Sequence, residues 1–166
     1  MRSLRWSLSR QKLMIHAVLL VTLGSMVFVY PFDNHFRFTL GVAFLTTLLL
    51  YLTELSAFRF ILVSGISIVV FRTLMAMLLG GASAGSAFME NLPALAYYIS
   101  FGVLFKLFDI RKMIGNFPLV LLLLSATDAA SNIIELIFRP TLKSVGYEAV
   151  LASVMLIAIV RSVLSV

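Results

Sequence analysis

The apolar runs of this chain decide its fold before any motif is considered. Six follow one another with short polar breaks: Leu13 to Tyr30, Arg37 to Thr53, Ala57 to Leu79, Leu92 to Phe108, Phe117 to Phe138 and Val145 to Val163. Each is near the ~20 residues that carry an α-helix across a bilayer core. Backbone groups in lipid must satisfy one another, which makes helices of such runs. The expected architecture is therefore all-α, a polytopic membrane helix bundle of about six transmembrane helices forming one domain over residues 1–166. The second and fourth runs are short, and the fourth has an alternative start as early as Phe88. Composition agrees. Only 12% of residues are charged, 61% are hydrophobic and the mean hydropathy is +1.08, whereas soluble domains carry about 25% charged residues.

Membrane orientation is read from lysine and arginine placement. With the N-terminus inside, the inner side collects Arg2, Arg5, Arg10, Lys12, Arg59, Lys106, Arg111, Lys112 and Arg161, nine in all, and the outer side only Arg37, Arg139 and Lys143. Both termini are thus expected in the cytoplasm of a multi-pass protein of the bacterial cell membrane. The net charge of +6 is a matter of topology and lipid headgroups, with no nucleic acid implied. The basic N-terminus imitates a signal peptide, but the following run is long for one. Tyr30-Pro31-Phe32-Asp33 is also no small-residue cleavage site, and the segment is read as a retained first span. No cysteine is present, which excludes a disulfide framework or thiolate metal site. His16 and His35 lack metal-ligand spacing, so neither metal nor cofactor is expected.

Within the fifth run, Asp128, Ser131, Asn132 and Glu135 stand at i, i+3, i+4 and i+7, on one helical face. A carboxylate at bilayer depth is unfavourable by ~2.5 kcal/mol or more unless it faces a protein interior, water or a countercharge. The face must point inward. Arg72, in the second half of the third run, is the expected partner of Asp128 and matches it in depth. Glu90, Asn91 and Pro93 add polarity at the outer end of the fourth span, Arg37 does so on the second and Glu148 on the sixth. Tyr97, one turn below Pro93, is a candidate pocket residue. The outer half is expected to be polar inside and the inner half apolar.

Two readings of this cluster compete. In the plainer one, Arg72 and Asp128 form a buried ion pair that fixes helix register. In the other, Arg72, Asp128, Asn132, Glu135, Glu90, Asn91, Arg37 and Tyr97 surround a small zwitterion, an arginine holding its carboxylate and an acid its ammonium. One arginine does not require so many acids and amides, which favours the second. The loop Gly80 to Ser86 reads as a lid or as a plain connector. Ala126 with Ala130 and Ala149 with Ser153 are small-residue pairs suited to close helix approach. There is no Walker A loop, no nucleophile with a histidine base and no H-E-x-x-H. No catalytic domain is expected, and the chain is read as one that binds something.

The segments Phe36-Arg-Phe-Thr-Leu-Gly41, Ser64-Gly-Ile-Ser-Ile-Val-Val-Phe-Arg72, Glu90-Asn-Leu-Pro-Ala-Leu-Ala-Tyr-Tyr98 and Asp128-Ala-Ala-Ser-Asn-Ile-Ile-Glu-Leu136 resemble the membrane sensor region of bacterial histidine kinases, the glutamine-sensing type among them. The resemblance spans roughly residues 31–139. It implies a polytopic input domain for signal transduction in a two-component system, binding a small polar ligand such as an amino acid and acting on a cytoplasmic kinase module, with a homodimer possible. These residues contain neither a phosphoacceptor region nor an ATP-binding domain, so kinase activity is not expected of them. The chain is similar also to the substrate-binding subunits of energy-coupling-factor vitamin transporters, in size, span number and outward polar cluster. That resemblance implies nutrient uptake with a coupling subunit and ATPases as partners.

Overall fold

The structure, a computed structural model, describes residues 2–29, 38–138 and 147–166, with side chains for 9–28, 39–138 and 152–166. Six helices account for nearly all of it: α1 (Arg2–Gly24), α2 (Leu40–Tyr51), α3 (Ala57–Gly80), α4 (Ala84–Leu107), α5 (Phe117–Ile137) and α6 (Tyr147–Ser165). A two-residue antiparallel pair, β1 (Phe28–Val29) with β2 (Phe38–Thr39), leads from α1 towards α2. A 3-10 turn, Ile110–Met113, separates α4 from α5. Among the described residues, α3, α4 and α5 are long and apolar enough to cross a membrane, which marks the chain as a membrane protein.

Local chemistry sets these boundaries. Asn116 caps α5, its side-chain oxygen accepting from Leu119 N at 3.3 Å, and Pro118 sits in the first turn, where no helical donor is lost. Ser83 caps α4 in the same way through Ser86 N. Gly81 closes α3 in the left-handed region at φ 62°, a conformation open to glycine without a Cβ penalty. The loop expected over Gly80 to Ser86 therefore shrinks to the connector Gly81–Ser83, too short for a lid. The helix expected from Leu92 begins eight residues earlier, at Ala84. Glu90, Asn91 and Pro93 lower its hydropathy without breaking the helix.

Neighbouring helices touch in the cyclic order α1, α2, α6, α5, α4, α3 and back to α1, so the bundle closes into a ring. The hydrogen bonds give its polarity. Arg111, in the α4–α5 connection, donates to the carbonyls of Leu49 (2.6 Å), Leu52 (3.1 Å) and Leu55 (2.9 Å) around the α2–α3 connection. Those two connections share one end of the bundle, and partial burial there lowers the Arg111 pKa from its usual value. Tyr51 OH donates to Val166 O at 3.0 Å, which brings the end of α6 to the same side. The α3–α4 connector lies at the opposite end.

Between α1 and α2 the contact is nearly backbone on backbone. A Cβ at Gly41 would stand 2.7 Å from Ser25 N and 2.8 Å from Val21 O, which is the kind of approach small residues permit in lipid. The end near Arg111 is filled by Leu45, Leu49, Phe60, Ile61, Phe105 and Ile110, all at most 2% exposed. The α5–α6 contact runs through Ala129, Val154 and Ala158. Of the small-residue pairs expected to mediate such contacts, Ala126 is exposed and Ala149 lies outside the described side chains. Several buried hydroxyls bond back to their own helices, as Thr46 to Val42 O (2.8 Å) and Ser131 to Thr127 O (2.7 Å), and are thereby satisfied without a partner helix.

Candidate functional site

In the half of the bundle away from Arg111, the inward face of α5 meets α4 and α6. Asp128 is 2% exposed, and both of its carboxylate oxygens are engaged. Oδ1 accepts from Tyr97 OH at 2.5 Å and from Asn132 Nδ2 at 3.0 Å. Oδ2 lies 2.8 Å from Arg161 Nε, a short ionic contact that falls off the axis of an aligned hydrogen bond. The Arg161 guanidinium also sits over the Tyr97 ring, 5.6 Å from its centroid, a cation–π arrangement. Asn132 Nδ2 bonds in addition to Asp128 O at 2.7 Å, as its i+4 position allows.

The countercharge of Asp128 is thus Arg161, not Arg72 as the depth argument predicts. Arg161 is itself 5% exposed and does not serve as a topology signal at the membrane surface. Arg72 turns elsewhere. Its Nη2 donates to Ser25 O at 2.7 Å, and its guanidinium covers the Phe28 ring at 5.3 Å, tying α3 to the end of α1.

Between these two arginines lies a cavity of about 50 Å³, lined by Arg72 of α3, Tyr97 and Tyr98 of α4, Asn132 and Glu135 of α5 and Arg161 of α6, with Thr39, Val42 and Ala94 completing the wall. Asp128 stands behind this wall and holds two of its members, Tyr97 and Arg161, in place. Roughly 10–15 Å³ of such space takes one water. The volume accordingly suits about four water-sized groups, the scale of an ionic head rather than of a vitamin ring system.

Of the residues singled out in the sequence, Arg72, Tyr97, Asn132 and Glu135 come together at the cavity. Glu90 is exposed on α4. Asn91 donates back to Ala87 O at 2.8 Å, and neither residue lines the cavity. Arg37 and the Glu148 side chain lie outside the described residues. His16 donates from Nδ1 to Lys12 O at 2.7 Å, an interaction local to α1. Among the described residues no group of three or more His, Cys, Asp or Glu is placed to hold a metal.

Arg161 is the residue that sequence reasoning missed. A signal for it exists. Ala158, Arg161, Ser162 and Ser165 fall at i, i+3, i+4 and i+7 of α6, and all four are at most 5% exposed. A small and polar stripe of that spacing marks an inward face. Comparison of the chain with protein-family models, with curated proteins and with solved structures finds no match.

Proposed function

We propose that this chain is the membrane-embedded input domain of a bacterial signalling protein, with six spans and both termini in the cytoplasm. It takes a small polar ligand, an amino acid or a molecule of that kind, from the outer side. The observation that carries this reading is the cavity with two arginines, a glutamate and an asparagine in its wall. An ion pair serving only helix register has no use for a void beside it. The same cavity supports a signalling role because α6 reaches it through Arg161 and then runs to the end that carries Val166. A ligand that favours one position of α6 over another shifts the packing presented to a cytoplasmic kinase module, and that differential affinity is what drives such a switch.

The test is binding by the chain in lipid nanodiscs, read as a shift in unfolding temperature across the amino acids. A saturable shift is expected for at least one of them, removed by Asn132→Leu. If no small zwitterion shifts unfolding, the reading falls.

A transport role, as the capture subunit of an energy-coupling-factor system, finds support in the closed ring of helices around this cavity. It requires uptake that disappears when the partner ATPases are deleted. Ligand-dependent phosphotransfer without uptake decides for the sensor.

A further inference from the structure

We infer that Arg161 is the anchor for a ligand carboxylate and that Asp128 is its positioning residue, not a ligand contact. This rests on the ligand-binding reading above and assigns the chemistry within it. The Arg161 side chain is 6% exposed, and its guanidinium is committed on one side only. Nε meets Asp128 Oδ2, whereas Nη2 is buried with no hydrogen-bond partner among the described residues. A buried guanidinium donor without an acceptor is unfavourable by the desolvation of a charged group. The residue also lines the cavity, and a ligand carboxylate seated there is the acceptor inferred for it.

What fits there is restricted by charge and shape. The Arg161 fork is planar and matches a carboxylate through two parallel donors. The charge of Arg161 is already balanced by Asp128, and Glu135 stands in the same wall. With Arg72 in the wall as well, two cations face two acids, so a zwitterion leaves the net charge of the site unchanged while a dianion such as phosphate does not. Tyr97 and Asn132 complete the device by holding Asp128 from the other oxygen, which fixes the direction of the fork without occupying the cavity.

The experiment uses the full chain in lipid nanodiscs and isothermal titration with the twenty standard L-amino acids. Each binder is then compared with its C-terminal carboxamide and with the amine lacking the carboxylate. For a binder, both replacements are expected to weaken affinity by more than about a hundredfold, as when a site's buried polar group loses its partner. The double variant Asp128→Asn/Arg161→Gln, neutral at both positions, is expected to abolish binding. Asp128→Asn alone is expected to weaken it at least tenfold while retaining preference for acid over amide, which a purely structural role would not predict. An amide that binds as well as its acid overturns the inference, as does unchanged binding by the double variant. If the double variant does not fold, the acid and amide comparison on the native chain decides. Binding that ignores the carboxylate but vanishes in Glu135→Gln overturns the anchor and leaves the input-domain reading standing. A panel with no binder overturns both.

Discussion

The two halves of this bundle are buried for opposite reasons. Near Arg111 the interior is Phe60, Phe105, Ile61, Leu45 and Leu49, side chains that lipid would also accept. They hold helices together by interlocking, because hydrophobicity gives no preference between a protein interior and acyl chains. Around Asp128 and Arg161 the interior is what lipid rejects. There the ring of helices is the only environment in which these groups can be paired. The apolar half defines a shape, and the polar half defines what must face inward.

Breaking the polar half should have the larger effect. Arg161→Ala leaves Asp128 buried and uncompensated and is expected to lower stability by about 3–5 kcal/mol. Adding Asp128→Asn should restore most of it, measured as the unfolding midpoint in nanodiscs. In the other half, Phe60→Ala opens a cavity but transfers nothing from water. Its expected loss is therefore about 2–3 kcal/mol, below the usual soluble range, with ligand affinity unchanged. A loss from Phe60→Ala equal to that from Arg161→Ala would erase the distinction between the halves. Tyr97→Phe deletes one donor to a charged acceptor and should lose about 1.5–2 kcal/mol, together with affinity, since that hydroxyl helps to hold Asp128 against Arg161.

Smaller effects sharpen the contrast. Arg111→Lys exchanges a fork serving three carbonyls for a single ammonium and is expected to lose about 1 kcal/mol with binding intact. Asp109 stands at φ 47° with an exposed ion pair to Lys112. Asp109→Gly should change stability by less than about 1 kcal/mol, relief of backbone strain offsetting a weak surface contact. Thermal unfolding of each variant checks these values.

Legibility from the sequence divides along the same line. The inward face of α5 follows from spacing alone, because a helix places residues 128, 132 and 135 together whatever surrounds it. The bounds of the third and fifth runs hold for a related reason, since uninterrupted hydropathy and a cap such as Asn116 leave little choice. Which cation answers Asp128 was not legible. That depends on how far α6 slides along α2, and the slide is set by contacts such as Thr47 Oγ1 to Ser165 O at 3.3 Å and Ser165 Oγ to Ala43 O at 3.3 Å. Counting basic residues by position in the chain assigns Arg161 to a membrane surface, whereas packing draws it inward. The start of α4 was obscured for a different reason, because hydropathy measures affinity for lipid and a helix can extend past the point where that affinity falls.

The pairing of Asp128 with Arg161 also sets the order in which the protein becomes complete. A chain is made from its N-terminus onward, so α5 exists with its carboxylate before the helix that neutralises it. Without α6, the first five helices form an open arc with α2 and α5 as its unjoined sides. Helix α6 both closes the arc and supplies Arg161 to the acid. A chain ending before residue 161 therefore carries Asp128 without its cation.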